Sequence, residues 1–89
     1  MINFKNKKIL ITGATGGIGG ALIKKFNSLG GTILATGTNA DKLNQIKKNY
    51  PNIKVKKFDI SEHDKIEEFI ENAKLDLEGL DIIINNAGR

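Results

Sequence analysis

A chain of 89 residues holds one small domain at most, and 39% hydrophobic residues among charges of both signs mark a globular protein, not a disordered one. The absence of cysteine excludes disulfides, thiolate metal sites and a cysteine nucleophile, and no apolar run nears the roughly 20 residues of a membrane span. A net charge of +4 raises the question of nucleic acid. However, Lys24-Lys25, Lys47-Lys48 and Lys56-Lys57 are scattered pairs diluted by Glu62, Glu67, Glu68 and Glu71, so solvated faces account for them and no nucleic-acid partner is expected.

Met1-Ile2-Asn3-Phe4-Lys5 lacks the apolar core of a secretory signal, so a cytoplasmic location is expected. Lys7-Lys8 then lead into Ile9-Leu10-Ile11, a short unbroken apolar run that reads as a strand buried on both faces. A glycine cluster follows: five of the ten glycines fall between positions 13 and 20. A strand that stops at glycines and passes straight into a helix suits an anion. Absent Cβ atoms let backbone N–H groups approach closely, and the helix N-terminus adds unpaired donors and partial positive charge.

From Ile18 a helical period places Ile18, Ala21, Leu22, Phe26 and Leu29 on one side, and Gly30-Gly31 supplies a left-handed end. Thr32-Ile33-Leu34-Ala35-Thr36 reads as a second strand. After the turn Gly37-Thr38-Asn39, with Asn39 as a cap, Leu43, Ile46 and Tyr50 mark the buried side of a second helix that Pro51-Asn52 closes. Ile53-Lys54-Val55-Lys56 alternates, and its lysines suit a sheet edge. Asp59-Ile60-Ser61 follows. Ser61 is expected to cap a third helix, with Asp64 in a capping-box-like position, Glu62 favourable in the first turn and Ile66, Phe69, Ile70, Ala73 and Leu77 as its stripe. Glu78-Gly79 ends it, and Asp81-Ile82-Ile83-Ile84-Asn85 is a fourth strand.

Strictly alternating strands and helices call for an α/β fold with right-handed crossovers: a Rossmann-type parallel sheet of order 3-2-1-4 with three crossover helices. Strands 1 and 4 then meet at the topological switch point, where a ligand sits beyond their carboxyl ends. The sole histidine, His63, stands in a polar helix start without metal-binding neighbours, so no metal site is expected.

Thr12-Gly13-x-x-x-Gly17-Ile18-Gly19, the Asp59-Ile60 pair after the third strand and Asn85-Asn86-Ala87-Gly88 after the fourth resemble the short-chain dehydrogenase/reductase family. Within it the chain is most similar to the bacterial 3-oxoacyl-acyl-carrier-protein reductases. Gly13-x-x-Gly16-x-x-Gly19 also fits the extended-family epimerases, against which the Asn-Asn-Ala-Gly stretch argues. The resemblance implies that the backbone of Gly13, Ala14 and Thr15, continuing through Gly16, Gly17, Ile18 and Gly19, cradles the pyrophosphate and adenosine ribose of a nicotinamide dinucleotide. It implies that Thr38 faces that ribose or its 2′-phosphate, and that Asp59 and Ile60 flank the adenine. Asn86, Ala87 and Gly88 would run beside the second ribose, while Asn85 ties strand ends together.

The usual acid for an NAD 2′-hydroxyl is missing at the end of the second strand, where Gly37-Thr38-Asn39 stands. Asp41 falls in the first turn of the next helix. NADP is therefore expected over NAD, although Gly16 occupies the place where many NADP-binding relatives carry a basic residue.

In such relatives a later serine and a Tyr-x-x-x-Lys pair act on the substrate carbonyl while NADPH delivers hydride. Tyr50 and Lys54 are not that pair, because Pro51 breaks the register, so no catalytic residue is assigned. The 89 residues are expected to form a dinucleotide-binding half-domain, truncated before the catalytic segment. The expected function is the NADP(H)-binding portion of a 3-oxoacyl-acyl-carrier-protein reductase, with an acyl-carrier-protein-bound substrate only in a full-length relative. Alternatives are a non-catalytic dinucleotide-binding module or a short-chain dehydrogenase for another alcohol or ketone. With no fifth strand and only one helix over one face, the chain is also expected to self-associate through the sheet edge and face.

Overall fold

The computed structural model describes residues 3–86; Ala87 and Gly88, named above as cofactor contacts, lie outside the described residues. Four strands, β1 (Lys8–Thr12), β2 (Thr32–Gly37), β3 (Lys54–Lys57) and β4 (Ile82–Asn85), alternate with α1 (Gly17–Ser28), α2 (Ala40–Asn49) and α3 (Ile66–Leu77), the last preceded by a 3-10 turn at His63–Lys65. Every pairing is parallel and the order is β3-β2-β1-β4, as the alternation predicts.

β1 lies at the centre because its run has apolar side chains for both faces. Ile9 and Ile11 point to one layer and Leu10 to the other, all fully buried. The first layer joins Ile9, Ile11, Ile33 and Ala35 to Ile23 of α1 and to Ile53, with Ile46 and Tyr50 at its margin. The second joins Leu10 and Leu34 to Phe69, Ala73 and Leu77 of α3. Phe58 stacks on Phe69 with ring centroids 4.0 Å apart. One face of the sheet thus carries α1 and α2, and the other carries α3.

Three local expectations are corrected. The buried face of α1 is Gly19 and Ile23, flanked by Leu22 and Phe26, whereas Ile18 is 69% exposed and Ala21 also faces out. The stripe is rotated because Gly19 belongs to it without an apolar side chain to reveal it. Ser61, in turn, does not cap α3. Its hydroxyl donates to Asp59 Oδ1 (2.7 Å), and the chain enters the helix through the 3-10 turn without a side-chain cap. Asn39 does cap α2, its Oδ1 accepting from Lys42 N–H at 3.0 Å. Lys47 is not merely solvated: its Nζ donates to the carbonyls of Pro51 (2.8 Å) and Ile53 (2.7 Å), closing the link between α2 and β3.

The two sheet edges differ. β3 carries Lys54, Lys56 and Lys57, and Lys56 pairs with Asp76 of α3 at 3.4 Å. β4 carries Ile82, Ile83 and Ile84, with Ile83 51% exposed.

Candidate cofactor site

The site is built on the turn between β1 and α1. Gly13 holds φ at +63°, a left-handed conformation that costs glycine nothing. It redirects the chain out of β1. Ala14 N–H then donates to Thr36 O at 2.9 Å, fastening the turn to the end of β2. Gly16 takes an extended conformation (ψ 174°) as the residue before α1, and the first intrahelical bond runs from Gly20 N–H to Gly16 O at 2.9 Å. The N–H groups of Gly17, Ile18 and Gly19 therefore precede the first donor used within the helix, Gly20 N–H, and no acidic side chain occupies the first turn. Gly16, Gly17 and Ile18 are exposed.

Gly19 has a different task. A Cβ there would sit 2.6 Å from both Ala14 Cα and Gly13 O, so only glycine lets the helix pack this close to the turn. The glycines divide the work: one reverses the chain, one admits the helix, and those between leave backbone donors uncovered.

Beside the turn, at the carboxyl ends of β1 and β2, lies a cavity of about 310 Å³. Gly13 and Thr15 form one wall, Gly37 and Thr38 a second, Asp59 and Ile60 a third. Five candidate residues separated in sequence (Gly13, Thr15, Thr38, Asp59 and Ile60) thus meet around one space. Ala14 and Gly16 instead face a smaller cavity of about 220 Å³ toward α2, which shares Thr15 with the first.

Asp59 is exposed, and its Oδ1 accepts from both Ser61 Oγ (2.7 Å) and Ser61 N–H (2.9 Å). These two bonds, the hydroxyl's first, hold its carboxyl below the usual aspartate range. The group is an anion at neutral pH with its other oxygen outside this pair of bonds. It can accept a hydrogen bond but cannot donate one.

Asn86 is drawn into the scaffold. Its side-chain Nδ2 donates to Gly13 O (3.1 Å), and its backbone N–H donates to Thr12 Oγ1 (3.1 Å). The Thr12 hydroxyl donates onward to Asn85 Oδ1 (3.0 Å). Both asparagines therefore tie the end of β4 to β1, and Asn86 also fixes the carbonyl that starts the glycine turn. Sequence reasoning missed Thr12 as the centre of this network, and it missed Ser61 as the partner of Asp59. The Asp-x-Ser spacing is the signal that could have found Ser61, since it suits an aspartate-capped turn. Thr12 carries no such mark, because its partners lie more than seventy residues away.

Among the described residues no group of three or more His, Cys, Asp or Glu is placed to hold a metal ion, and no helix is long and apolar enough to cross a membrane.

Residues 7–89 match the short chain dehydrogenase family profile. The chain is 38% identical over 92 residues to a 3-oxoacyl-acyl-carrier-protein reductase of Rickettsia bellii, covering 99% of this chain and 35% of the relative. It is 34% identical over 89 residues to nodulation protein G of a Rhizobium species, covering 99% and 36%. Among solved structures, a short chain dehydrogenase from Bacillus anthracis superposes with a TM-score of 0.84 at 30% identity, covering 96% of this chain and 36% of that one. The chain spans little more than a third of the length of these relatives, in their N-terminal part.

Proposed function

The chain belongs to the short-chain dehydrogenase family of oxidoreductases, and on that premise we propose that residues 1–89 form its dinucleotide-binding half-domain, with a preference for NADP(H). The observation that carries the proposal is the juxtaposition at the carboxyl ends of β1 and β2. The glycine turn that opens into the start of α1 contributes Gly13 and Thr15 to a cavity that Thr38 and Asp59 share.

The residues present fit the group. The N–H groups of Gly17, Ile18 and Gly19, with the positive end of α1, suit the pyrophosphate. The 310 Å³ cavity suits adenosine, with Ile60 as an apolar wall and the Asp59 carboxylate as acceptor for the exocyclic amine. Thr38 would face the adenosine ribose. Asn86 would serve the site by holding Gly13 in place. When bound, the cofactor supplies hydride.

In the larger protein, the activity we propose is reduction of a 3-oxoacyl thioester to its 3-hydroxyacyl form, with an acyl-carrier-protein-bound substrate. The similarity to the Rickettsia bellii reductase supports that choice among short-chain dehydrogenase reactions. A cytoplasmic location accords with a cysteine-free chain.

Titration of the 89-residue chain with NADPH and NADH, followed by amide nuclear magnetic resonance, tests the cofactor assignment. The expected result is shifts at Gly13, Gly17, Ile18, Gly19 and Thr38, at lower concentration with NADPH. An unchanged spectrum with both would overturn it.

A further inference from the structure

We propose that Lys42 selects the phosphorylated cofactor, by reaching the 2′-phosphate of NADP(H) through the cavity on the α2 side of the glycine turn. The proposal rests on the dinucleotide reading above and assigns the preference to a residue outside the turn.

That cavity, about 220 Å³, lies between Thr15 and Gly16 on the turn, Gly20 on α1, and Lys42 and Gln45 on α2. Thr15 also walls the larger cavity proposed for adenosine, so the two spaces adjoin at one residue. Gly16 leaves the passage open: a Cβ there would meet nothing closer than Gly13 O at 3.9 Å. The turn itself brings no cation, whereas Lys42 is the one cationic side chain lining the smaller cavity among the described residues.

Three features make Lys42 the cation for a dianion. Among the described residues no aspartate or glutamate lines the cavity, and the neighbouring Asp41 is not part of its wall. Among the described residues the ammonium makes no ion pair, since the lysines that do are Lys56 and Lys74. Lys42 also stands in the first turn of α2 beside Asp41, at the positive end of the helix dipole, which favours a further anion there. Its backbone is fixed by the 3.0 Å bond to Asn39 Oδ1, so the long side chain starts from a defined point. Gln45, one turn further on, adds an amide donor.

Calorimetric titration of the full chain with NADP+ and NAD+ is the test. Lys42→Gln is expected to weaken NADP+ about tenfold, the scale of one charge-assisted hydrogen bond, and to leave NAD+ unchanged. Lys42→Arg keeps the preference, and Lys48→Gln, near the other end of α2, changes neither affinity. The NADP+ advantage of the wild-type chain falls as salt rises. If Lys42→Gln weakened both cofactors equally, or neither, the assignment would be overturned. Equal wild-type affinity for NADP+ and NAD+ would also overturn it, while leaving dinucleotide binding intact. Failure to bind either cofactor would remove both proposals. Because Lys42 is exposed, amide spectra of the variants should match the wild-type fold.

Discussion

At the scale of single residues, the site depends on short hydrogen-bonded links that hold polar groups in one orientation. The clearest is Asp59, whose Oδ1 takes two bonds from Ser61. Because these favour the ionised carboxylate, the pKa in the folded chain is depressed. The sign follows from linkage: the contribution to stability is present above the unfolded-state pKa and is lost as pH falls through the folded one. Ser61→Ala is expected to raise the Asp59 pKa toward the ordinary aspartate value, read from the carboxyl carbon resonance across an acid titration. No change in midpoint would show that the serine does not hold the charge. Asp59 was legible in the sequence as a candidate, because an acid follows the third strand in a recognisable place. Its Ser61 partner was misassigned to a helix cap, since one serine hydroxyl can serve either an N-terminus or a nearby carboxylate, and a linear pattern does not rank the two. Thr12 was legible only as the first residue of the glycine motif, and its link to β4 was not. A threonine at the end of an apolar strand has no local signature until β4 is laid beside it.

At the scale of elements, the existence and order of strands and helices followed from periodicity. The face of α1 did not. Sequence placed Ile18 in the core and overlooked Ile23, yet Ile23 is fully buried and Ile18 is 69% exposed. The cause is the close approach at Gly19, which sets the rotation of the helix about its axis through backbone contact with Ala14 and Gly13. Side-chain hydrophobicity carries no trace of a contact made by a missing Cβ. Ile23→Ala is therefore expected to cost about 2–5 kcal/mol, by loss of buried methyl groups and the cavity left behind. Ile18→Ala should stay within about 0.5 kcal/mol. Urea denaturation of the two variants decides between the stripes, and a larger loss at Ile18 would restore the one read from sequence. Expulsion of Ile18 also leaves an apolar side chain at the mouth of the turn, beside the N–H groups proposed for the pyrophosphate.

At the scale of the whole molecule, the two sheet edges and two sheet faces are unequally protected. The β3 edge carries three lysines, a common device against edge pairing, while β4 exposes Ile83 and is lined by isoleucine. The face bearing α3 also opens into a cavity of about 550 Å³, bordered by Ile66, Phe69, Ile70 and Ile83. Self-association of the 89-residue chain through this edge and face is the expected outcome. Sedimentation velocity should give a concentration-dependent coefficient, and Ile83→Lys should reduce that dependence. A wild-type chain that sediments as one monomeric species at all concentrations would refute the expectation. The sequence alone determined the strand–helix alternation, the parallel sheet of order 3-2-1-4 and the family, because those rest on apolar periodicity and on glycines and asparagines set at fixed spacings. Tertiary structure alone decided the rotation of α1, the clamp of Asn86 on Thr12 and Gly13, and the split of the turn between two cavities that share Thr15. Each of these depends on atoms brought together from distant positions, and a local pattern records propensity, not proximity.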